Sequence, residues 1–486
     1  MSIQTAWQTT LSFWGELPII VEPSEAQLSS DAGLLPLRQF DELIGLTQRF
    51  AQALEDPRVP KLCDHSFLEM VRSRIFGILA GYEDQNDHDA LRHDPVFKLI
   101  TNRSPEAEPL ASQPTLSRFE NAINIASLKR LRDGFIDEFI ASFVVPPKHL
   151  TFDLDAVDDP THGAQQLSLF HGYFDQYQYF PNFITCADND QTVVLSLRPG
   201  SMHAALGADD DLEHLVQRLR RSWPGVHIHV RGDAGYGMPW MYRVCERLSF
   251  DYTFGIAANA VLKKASAALL NQAVANFKAT KKPQRLFDAF WYRASSWRTP
   301  RWVIVKVEAN AQGTNRRFIV SNRPGARVMP VAAYEDYATR GEAENRNKEL
   351  KCDLKIDRTS DHRFVANFFR LFLHAAANNL LVRLRRAFAS PPPTLTSTIL
   401  DPLPDPEMPT EALEGQARRR YFTQRRRADP LGEGQPCTWR TMLIKVAAAV
   451  TVSSRRVVVR LSASWPYLDW YRRLCDFLAT RLFLTG

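Results

Sequence analysis

Residues 149–155 read HLTFDLD, and this stretch decides which class of fold the chain adopts. Leu150, Phe152 and Leu154 occupy alternate positions, with polar residues between them. Because successive side chains of a strand point to opposite faces, the alternation predicts a strand with one buried and one polar face. Asp155 closes the polar face, where such a strand reaches the edge of its sheet.

The sequence before this strand predicts a helical N-terminal domain over residues 1–145. Apolar residues recur there at mixed spacings of three and four, which is typical of amphipathic helices. Four segments carry the pattern, at residues 40–55, 64–82, 87–100 and 115–143.

The sequence after Pro146 predicts an α/β unit over residues 146–256. Strands are predicted at residues 190–197 and 226–230, with a helix between them at residues 211–222. Alternating strands and helices of this kind usually build one sheet covered by helices.

A β-rich insertion is predicted over residues 257–330. Residues 287–294, 301–307 and 317–321 are rich in aromatic and β-branched side chains and are separated by polar turns. Helical patterns return over residues 331–390, which we interpret as the second part of the α/β unit.

The C-terminal part of the chain begins with a proline-rich linker, predicted over residues 391–410. Residues 390–409 read SPPPTLTSTILDPLPDPEMP, and their prolines prevent regular helix. A basic, mainly helical region is predicted over residues 411–486, with arginine triplets at 418–420 and 425–427.

Composition excludes several classes of protein. Of 486 residues, 45% are hydrophobic and 23% charged, as in ordinary globular proteins, and the formal net charge of +6 favours a polyanionic partner only weakly. The six cysteines include no CxxC pair, so we expect neither a zinc site nor a disulfide framework. No secretory signal or membrane-spanning run is apparent, which predicts a cytoplasmic protein without a membrane partner.

Residues 334–351, YEDYATRGEAENRNKELK, form the strongest local motif. On a continuous helix Tyr337, Arg340, Glu344 and Lys351 would fall within an arc of about 60°. The competing interpretation is a solvated charged face with pairs such as Arg340 to Glu344.

Two further acids follow predicted strands, and this placement favours a metal site. Asp155 ends the strand at residues 149–155, and Asp233 follows the strand at residues 226–230. Strand ends in open α/β sheets converge on a common crevice. With Glu344 these acids would supply the oxygen ligands that Mg²⁺ or Mn²⁺ prefer, and a two-metal site can promote attack on a phosphate.

The identity of the first acid is not forced by the sequence. We favour Asp155, and Asp153 is the next candidate because it shares the same strand face. Asp158 and Asp159 also lie in this block. A calcium loop is disfavoured because the glycine and closing glutamate of an EF-hand are missing.

Together these motifs resemble bacterial insertion-sequence DDE transposases with the YREK signature. The spacing of Tyr337, Arg340, Glu344 and Lys351 matches that signature. Three further blocks resemble the group 1 DDE domain: LTFDLDAVDDPTHGAQQ from Leu150, LRPGSMHAALGA from Leu197 and VRGDAGYG from Val230. The resemblance runs from about Ser29 to Leu461.

The resemblance implies an RNase H-like catalytic core, interrupted by the β-rich insertion. Its three acids would be Asp155, Asp233 and Glu344, holding two Mg²⁺ or Mn²⁺ ions, with no nucleotide cofactor. Such an enzyme would bind the transposon ends and target as double-stranded DNA, act as a homodimer in the synaptic complex, and be nucleoid-associated. The alternatives are a catalytically silent transposase-derived DNA-binding protein and an RNase H-like nuclease without joining activity.

DNA-binding residues are also predicted. By resemblance, Tyr337, Arg340 and Lys351 would contact DNA phosphates near the cut, and the N-terminal helices would read the ends. The cations of those helices are Arg72, Arg74, Arg103, Lys129, Arg130 and Arg132.

Two weaker DNA-binding candidates lie outside these motifs. Arg198 could bind phosphate through its planar guanidinium or be an ordinary surface residue. Trp297 could stack on a base, because Ser295, Ser296 and Arg298 suggest exposure, although tryptophans in a β unit are more often buried.

Overall fold

The computed structural model describes residues 7–389, apart from 12 and 14–16, and residues 431–485, apart from 433. The predicted linker at 391–410 and the arginine triplets at 418–420 and 425–427 lie outside the described residues. Within the described ranges, none of the helices is both long and apolar enough to cross a bilayer.

The N-terminal part is helical, as predicted, after three short strands. The strands are β1 (Thr9–Leu11), β2 (Ile19–Val21) and β3 (Gln27–Ser29). The helices are α1 (Leu34–Ile44), α2 (Leu46–Gln52), α3 (Phe67–Ala80), α4 (His88–Leu91), α5 (Pro95–Ile100), α6 (Gln113–Ala122) and α7 (Ile125–Ala141).

Three of the four predicted helices are divided, and local chemistry explains each break. Gly45 ends α1 with a φ of 68°, a left-handed conformation that favours glycine. Asp94 caps α5 by accepting hydrogen bonds from two backbone N–H groups, ahead of Pro95 at the first turn. Asn124 caps α7 in the same way, through the N–H of Ser127.

The middle of the chain alternates strands and helices. The elements are β4 (His149–Ala156), β5 (Asp159–Pro160), β6 (Leu169–His171), β7 (Gln176–Tyr179), β8 (Asn182–Cys186), β9 (Thr192–Ser196), α8 (Ala208–Ser222), β10 (His227–Gly232), α9 (Pro239–Arg247), β11 (Asp251–Ile256), α10 (Ala260–Ala265) and α11 (Ala267–Thr280). Strands β5, β7 and β6 form a small separate sheet directly after β4.

The remaining elements extend the sheet and close the chain. They are β12 (Gln284–Tyr292), β13 (Arg301–Asn310), β14 (Gly313–Ser321), α12 (Pro324–Val328), α13 (Pro330–Ala338), α14 (Gly341–Lys348), a π-helical turn (Glu349–Asp353), α15 (Phe364–Ala389), α16 (Pro436–Trp439), a second π-helical turn (Arg440–Ile444), β15 (Ala448–Val452), β16 (Val457–Leu461) and α17 (Leu468–Thr485).

One mixed sheet of eight strands organises the molecule. Its order is β12-β13-β14-β11-β10-β4-β8-β9. Strand β10 runs parallel to both β4 and β11, whereas β8, β9 and β14 are antiparallel to their neighbours. Strands β12 to β14 therefore extend the same sheet beyond β11, and the fold is of the mixed α/β class.

The long helix α15 lies at the centre of the largest apolar core. It packs against α3, α6 and α7 and against β9. Phe369 on α15 contacts the rings of Phe50 and Phe119, and all three side chains are buried. Strand β3, near the start of the chain, pairs with β15, near its end, and Ala448 and Val450 of β15 belong to this core.

Two polar contacts tie α15 to its surroundings. Asn379 accepts a hydrogen bond from the backbone N–H of Thr192 on β9 at 2.9 Å and donates one to its carbonyl at 2.8 Å. Glu120 on α6 accepts hydrogen bonds from Arg370 of α15 at 2.6 Å and from Arg74 of α3 at 2.9 Å. This Arg–Glu–Arg triad is buried, which makes it costly to disturb.

Candidate active site

Two acids lie side by side at one edge of the sheet. In the parallel pair β4 and β10, Leu154 is opposite Gly232, so Asp155 and Asp233 follow at equivalent positions. Neighbouring strands are about 4.8 Å apart, which brings the two aspartates together. The Asp233 carboxylate accepts a hydrogen bond from the N–H of Gly235 at 2.9 Å, and this bond holds the turn after β10.

Helix α14 brings the third acid to the same edge. The Asn347 amide donates a hydrogen bond to Oδ2 of Asp155 at 2.6 Å. Glu344 lies three residues earlier on α14, and residues three apart occupy the same helical face. Its carboxylate accepts a hydrogen bond from the Arg340 guanidinium at 2.8 Å.

Two of the acids act electrostatically on the third. Burial raises the pKa of Asp155 to about 6; Arg340 opposes this rise, whereas Asp233 and Glu344 add to it. Burial lowers the pKa of Arg340, but nearby anionic groups, Asp155 and Glu344 among them, more than reverse the effect. Arg340 therefore compensates the negative charge of the cluster.

The donor set suits a hard divalent cation, although the side chains are not arranged as ligands. Three carboxylates offer the oxygen atoms that Mg²⁺ and Mn²⁺ prefer. Among the described residues, however, no three His, Cys, Asp or Glu side chains are grouped closely enough to hold a metal ion. Glu344 is directed to Arg340 instead.

Asp153 has a different environment from Asp155. Its two carboxylate oxygens accept hydrogen bonds from Nε and Nη2 of Arg231 at 2.7 and 2.8 Å, and both side chains are buried. Burial raises the pKa of Asp153 above its ordinary value, and the two-pronged contact with Arg231 opposes that rise. Asp153 is thus part of an internal ion pair, whereas Asp155 faces the other acids.

The expectation of one continuous helix through residues 334–351 is wrong. Helix α13 ends at Ala338 and α14 begins at Gly341. Arg231 donates a hydrogen bond at 2.7 Å to the Asp336 carbonyl, which would otherwise accept from the N–H of Arg340. That N–H bonds to the Tyr337 carbonyl instead, so the helix breaks.

One of the four motif residues lies apart from the other three. Tyr337, Arg340 and Glu344 line a common groove. Lys351 lies in the π-helical turn, where its ammonium group donates to the Asp158 carbonyl and carboxylate, both at 2.9 Å. Lys351 therefore anchors the loop after β4.

The interpretations of Arg198 as a surface residue and as a free phosphate-binding side chain both need correction. Arg198 is only 5% exposed. Its guanidinium donates to the backbone carbonyls of Phe180 at 2.9 Å, Ala204 at 2.6 Å and Leu206 at 2.9 Å. These bonds shape the loop before α8.

Trp297 is not the exposed aromatic residue that its neighbours in sequence suggested. It is 6% exposed and packs between Tyr242 and Tyr292. Within β12 to β14, Trp291 is exposed, at 54%. It pairs with Trp302 of β13, which pairs with Ser321 of β14, and Ser321 in turn lies opposite Thr253 near the start of β11. Trp291 thus lies towards the sheet edge remote from the acids.

Two of the N-terminal cations considered as DNA contacts are also buried. Arg74 belongs to the triad with Glu120. Arg72 donates to the hydroxyl of Thr47 at 3.1 Å and lies 3.9 Å from Asp41. Neither guanidinium is available to a partner molecule.

Sequence reasoning missed two residues that organise the site. Asn347 lies three positions after Glu344, and this spacing could have revealed it. No pattern in the sequence indicated a role for Arg231, because its partners Asp153 and Asp336 are far from it along the chain.

Comparison with known proteins identifies the family. A family model for the transposase DDE domain group 1 matches residues 15–396, more than three quarters of the chain. The chain therefore belongs to that family, which confirms the resemblance to a DDE transposase. No curated protein matches. A solved structure of a piggyBac transposase synaptic complex with hairpin DNA is 12% identical, with 74% of this chain and 77% of that chain covered and a TM-score of 0.36.

Proposed function

We propose that the chain is a metal-dependent DNA transposase that cleaves phosphodiester bonds at the ends of an insertion sequence and joins the 3′-hydroxyl ends to target DNA. One observation carries the proposal: Asp155 and Asp233 lie at the ends of adjacent strands. The helix that contains Glu344 lies beside them, because Asn347 of that helix is hydrogen-bonded to Asp155. Membership of the transposase DDE family supports it.

The strand order supports an RNase H-like catalytic core. Five strands run β9-β8-β4-β10-β11, with β4, β10 and β11 parallel. Asp155 is on the first of these strands in chain order, and Asp233 follows the fourth. We assign residues 146–256 and 331–390 to this core and residues 257–330 to the insertion.

In this mechanism Asp155, Asp233 and Glu344 would hold two Mg²⁺ or Mn²⁺ ions. Such ions, when bound, activate the attacking oxygen and stabilise the leaving oxygen. Asn347 fixes the orientation of the Asp155 carboxylate. Arg340 neutralises negative charge at the site and can donate to a phosphate once Glu344 turns towards a cation.

The DNA partners follow from the same assignment. Double-stranded transposon ends and target DNA would both reach this edge of the sheet. Tyr337 and Arg340 would lie nearest the cut, and Lys351 would lie farther from it, on the other side of the loop that it anchors. We assign end recognition to residues 1–145, expect the basic region at 411–486 to add affinity, and infer a homodimer in the synaptic complex.

A nicking assay tests the catalytic assignment. Wild-type protein with Mn²⁺ should nick DNA that carries the element's ends. The variants Asp233→Asn and Glu344→Gln should not nick this DNA. Their affinity for it should stay within about threefold of the wild type, because phosphate contacts supply most of the affinity. The matched control is Asp210→Asn, an exposed residue of α8, which should nick normally.

The outcomes distinguish the alternatives. Nicking that survives in either site variant would remove the three acids from catalysis. A wild-type protein that binds ends without nicking would be a silent DNA-binding protein. Nicking without joined product from pre-cut ends would indicate a nuclease.

A further inference from the structure

A groove runs from the acids along the junction of the sheet extension with α13 and α14. The register explains its position: Ile256, at the end of β11, pairs with Phe318 of β14, so the β13–β14 turn extends past the acid-bearing edge. The groove is lined by residues of β11, β13, β14, α13 and α14 and by the turn after β10.

The floor of the groove has little room for larger side chains. A Cβ atom added to Gly255 would lie 2.8 Å from the backbone nitrogen of Ala234 and 3.0 Å from the Tyr337 hydroxyl. Ala234, Ala338 and Gly341 are also small, so the cleft stays open up to Glu344.

The charge of the groove is strongly positive. Its lining holds four cations, Lys306, Arg316, Arg317 and Arg340, and one carboxylate, that of Glu344. A groove of this sign beside a cluster of acids favours an anionic ligand that also approaches the acids.

Of the three groove cations on the sheet extension, Arg317 is the one whose side chain has neither an ion pair nor a hydrogen bond among the described residues. Lys306 forms an ion pair with Glu308 at 2.9 Å, and Arg316 donates to the Lys263 carbonyl at 2.8 Å. Arg317 lies opposite Lys306 across the strand pair and is exposed. The part of the chain that the structure describes provides Arg317 with no ion-pair partner.

We propose that this groove binds the sugar–phosphate backbone adjacent to the scissile phosphate and that Arg317 contributes a phosphate contact from the sheet extension. The proposal rests on the proposed function, because the acids define where the scissile phosphate lies. A guanidinium matches the two oxygens of a phosphodiester through paired hydrogen bonds. Tyr337 and Arg340 form the facing wall, so the backbone lies between the extension and α13–α14.

The test begins with the salt dependence of binding. Full-length wild-type and Arg317→Gln proteins are titrated in EDTA with a fluorescein-labelled DNA duplex of arbitrary sequence, by anisotropy, at several KCl concentrations. Loss of one phosphate contact should reduce the slope of log affinity against log salt by about 0.9 and weaken binding about eightfold at ~0.1 M salt. Arg317→Lys should restore most of the slope.

The matched control is Arg221→Gln, an exposed arginine at the end of α8, which precedes β10 and so lies away from the acids. It should leave the slope unchanged. An Arg317→Gln slope equal to that of the wild type overturns the proposal.

A second measurement locates the contact. Single methylphosphonate groups, which are neutral, are placed at each phosphate around the mapped Mn²⁺-dependent nick. One position next to the nick should weaken wild-type binding but have little further effect on Arg317→Gln. Absence of such a position, or its occurrence far from the nick, overturns the proposal. If the wild type binds but never nicks, the proposed function fails, and the salt slope still decides whether Arg317 contacts phosphate.

Discussion

Replacing Asp153 by asparagine should destabilise the protein without removing its chemistry. The carboxylate accepts two charge-assisted hydrogen bonds from Arg231 at 2.7 and 2.8 Å, and the Asp153 residue is only 3% exposed. Removing one partner of a buried ion pair typically costs 3–5 kcal/mol. Arg231 keeps the Asp336 carbonyl and the Thr339 hydroxyl as acceptors, so we expect about 3 kcal/mol, the lower end of that range.

The free energy of unfolding can be measured by urea denaturation followed by tryptophan fluorescence, with Asp210→Asn as the control for a generic Asp-to-Asn change. Nicking activity is measured in parallel at low temperature, where Asp153→Asn remains folded. Asp155→Asn should show the opposite pattern, with nicking abolished and stability changed much less. A loss below about 1 kcal/mol in Asp153→Asn, the range of an exposed ion pair, would refute the buried-pair reasoning. Loss of nicking in a folded Asp153→Asn protein would refute the division of roles between the two acids.

Two further predictions concern the α6–α15 junction and the site. Glu120→Gln should lower stability by about 3–5 kcal/mol at neutral pH. Burial alone would raise the pKa of Glu120, but Arg370 and Arg74 lower it to about 2, below its ordinary value of 4.5. The stabilisation by ionised Glu120 is therefore present above pH 4.5 and lost as the pH falls towards 2. The urea midpoints of the wild type and Glu120→Gln should converge over that pH range. A difference that stays constant would contradict this prediction. Asn347→Ala should reduce kcat for nicking roughly tenfold while the KM for DNA stays within about twofold, because the amide orients Asp155 without contacting DNA; equal kcat values would argue against that role.

Local patterns in the sequence predicted much of the fold. The alternation in residues 149–155 corresponds to β4, and the mixed helical spacings before Pro146 correspond to the N-terminal helices. Strand β8 was not predicted, because all five of its residues are buried and the segment lacks alternation.

The site was only partly predictable, because long-range contacts override local signals. Serines beside Trp297 suggested exposure, yet Tyr242 and Tyr292 enclose the ring from other elements. The sequence predicted a continuous helix through Tyr337 and Glu344. In the structure Arg231, about a hundred residues earlier in the chain, donates to the carbonyl whose hydrogen bond would have continued that helix. In both cases one decisive contact comes from a residue distant in the sequence, Tyr242 for the tryptophan and Arg231 for the helix.

The amide of Asn379 has a consequence for how these molecules behave at high concentration. By bonding to both backbone groups of Thr192, it imitates the peptide group of an additional strand at the β9 border of the sheet. A strand from another molecule would have to displace α15 before pairing there. The protein thus occupies the outward backbone groups of Thr192 with its own side chain, which disfavours strand-by-strand aggregation at that position.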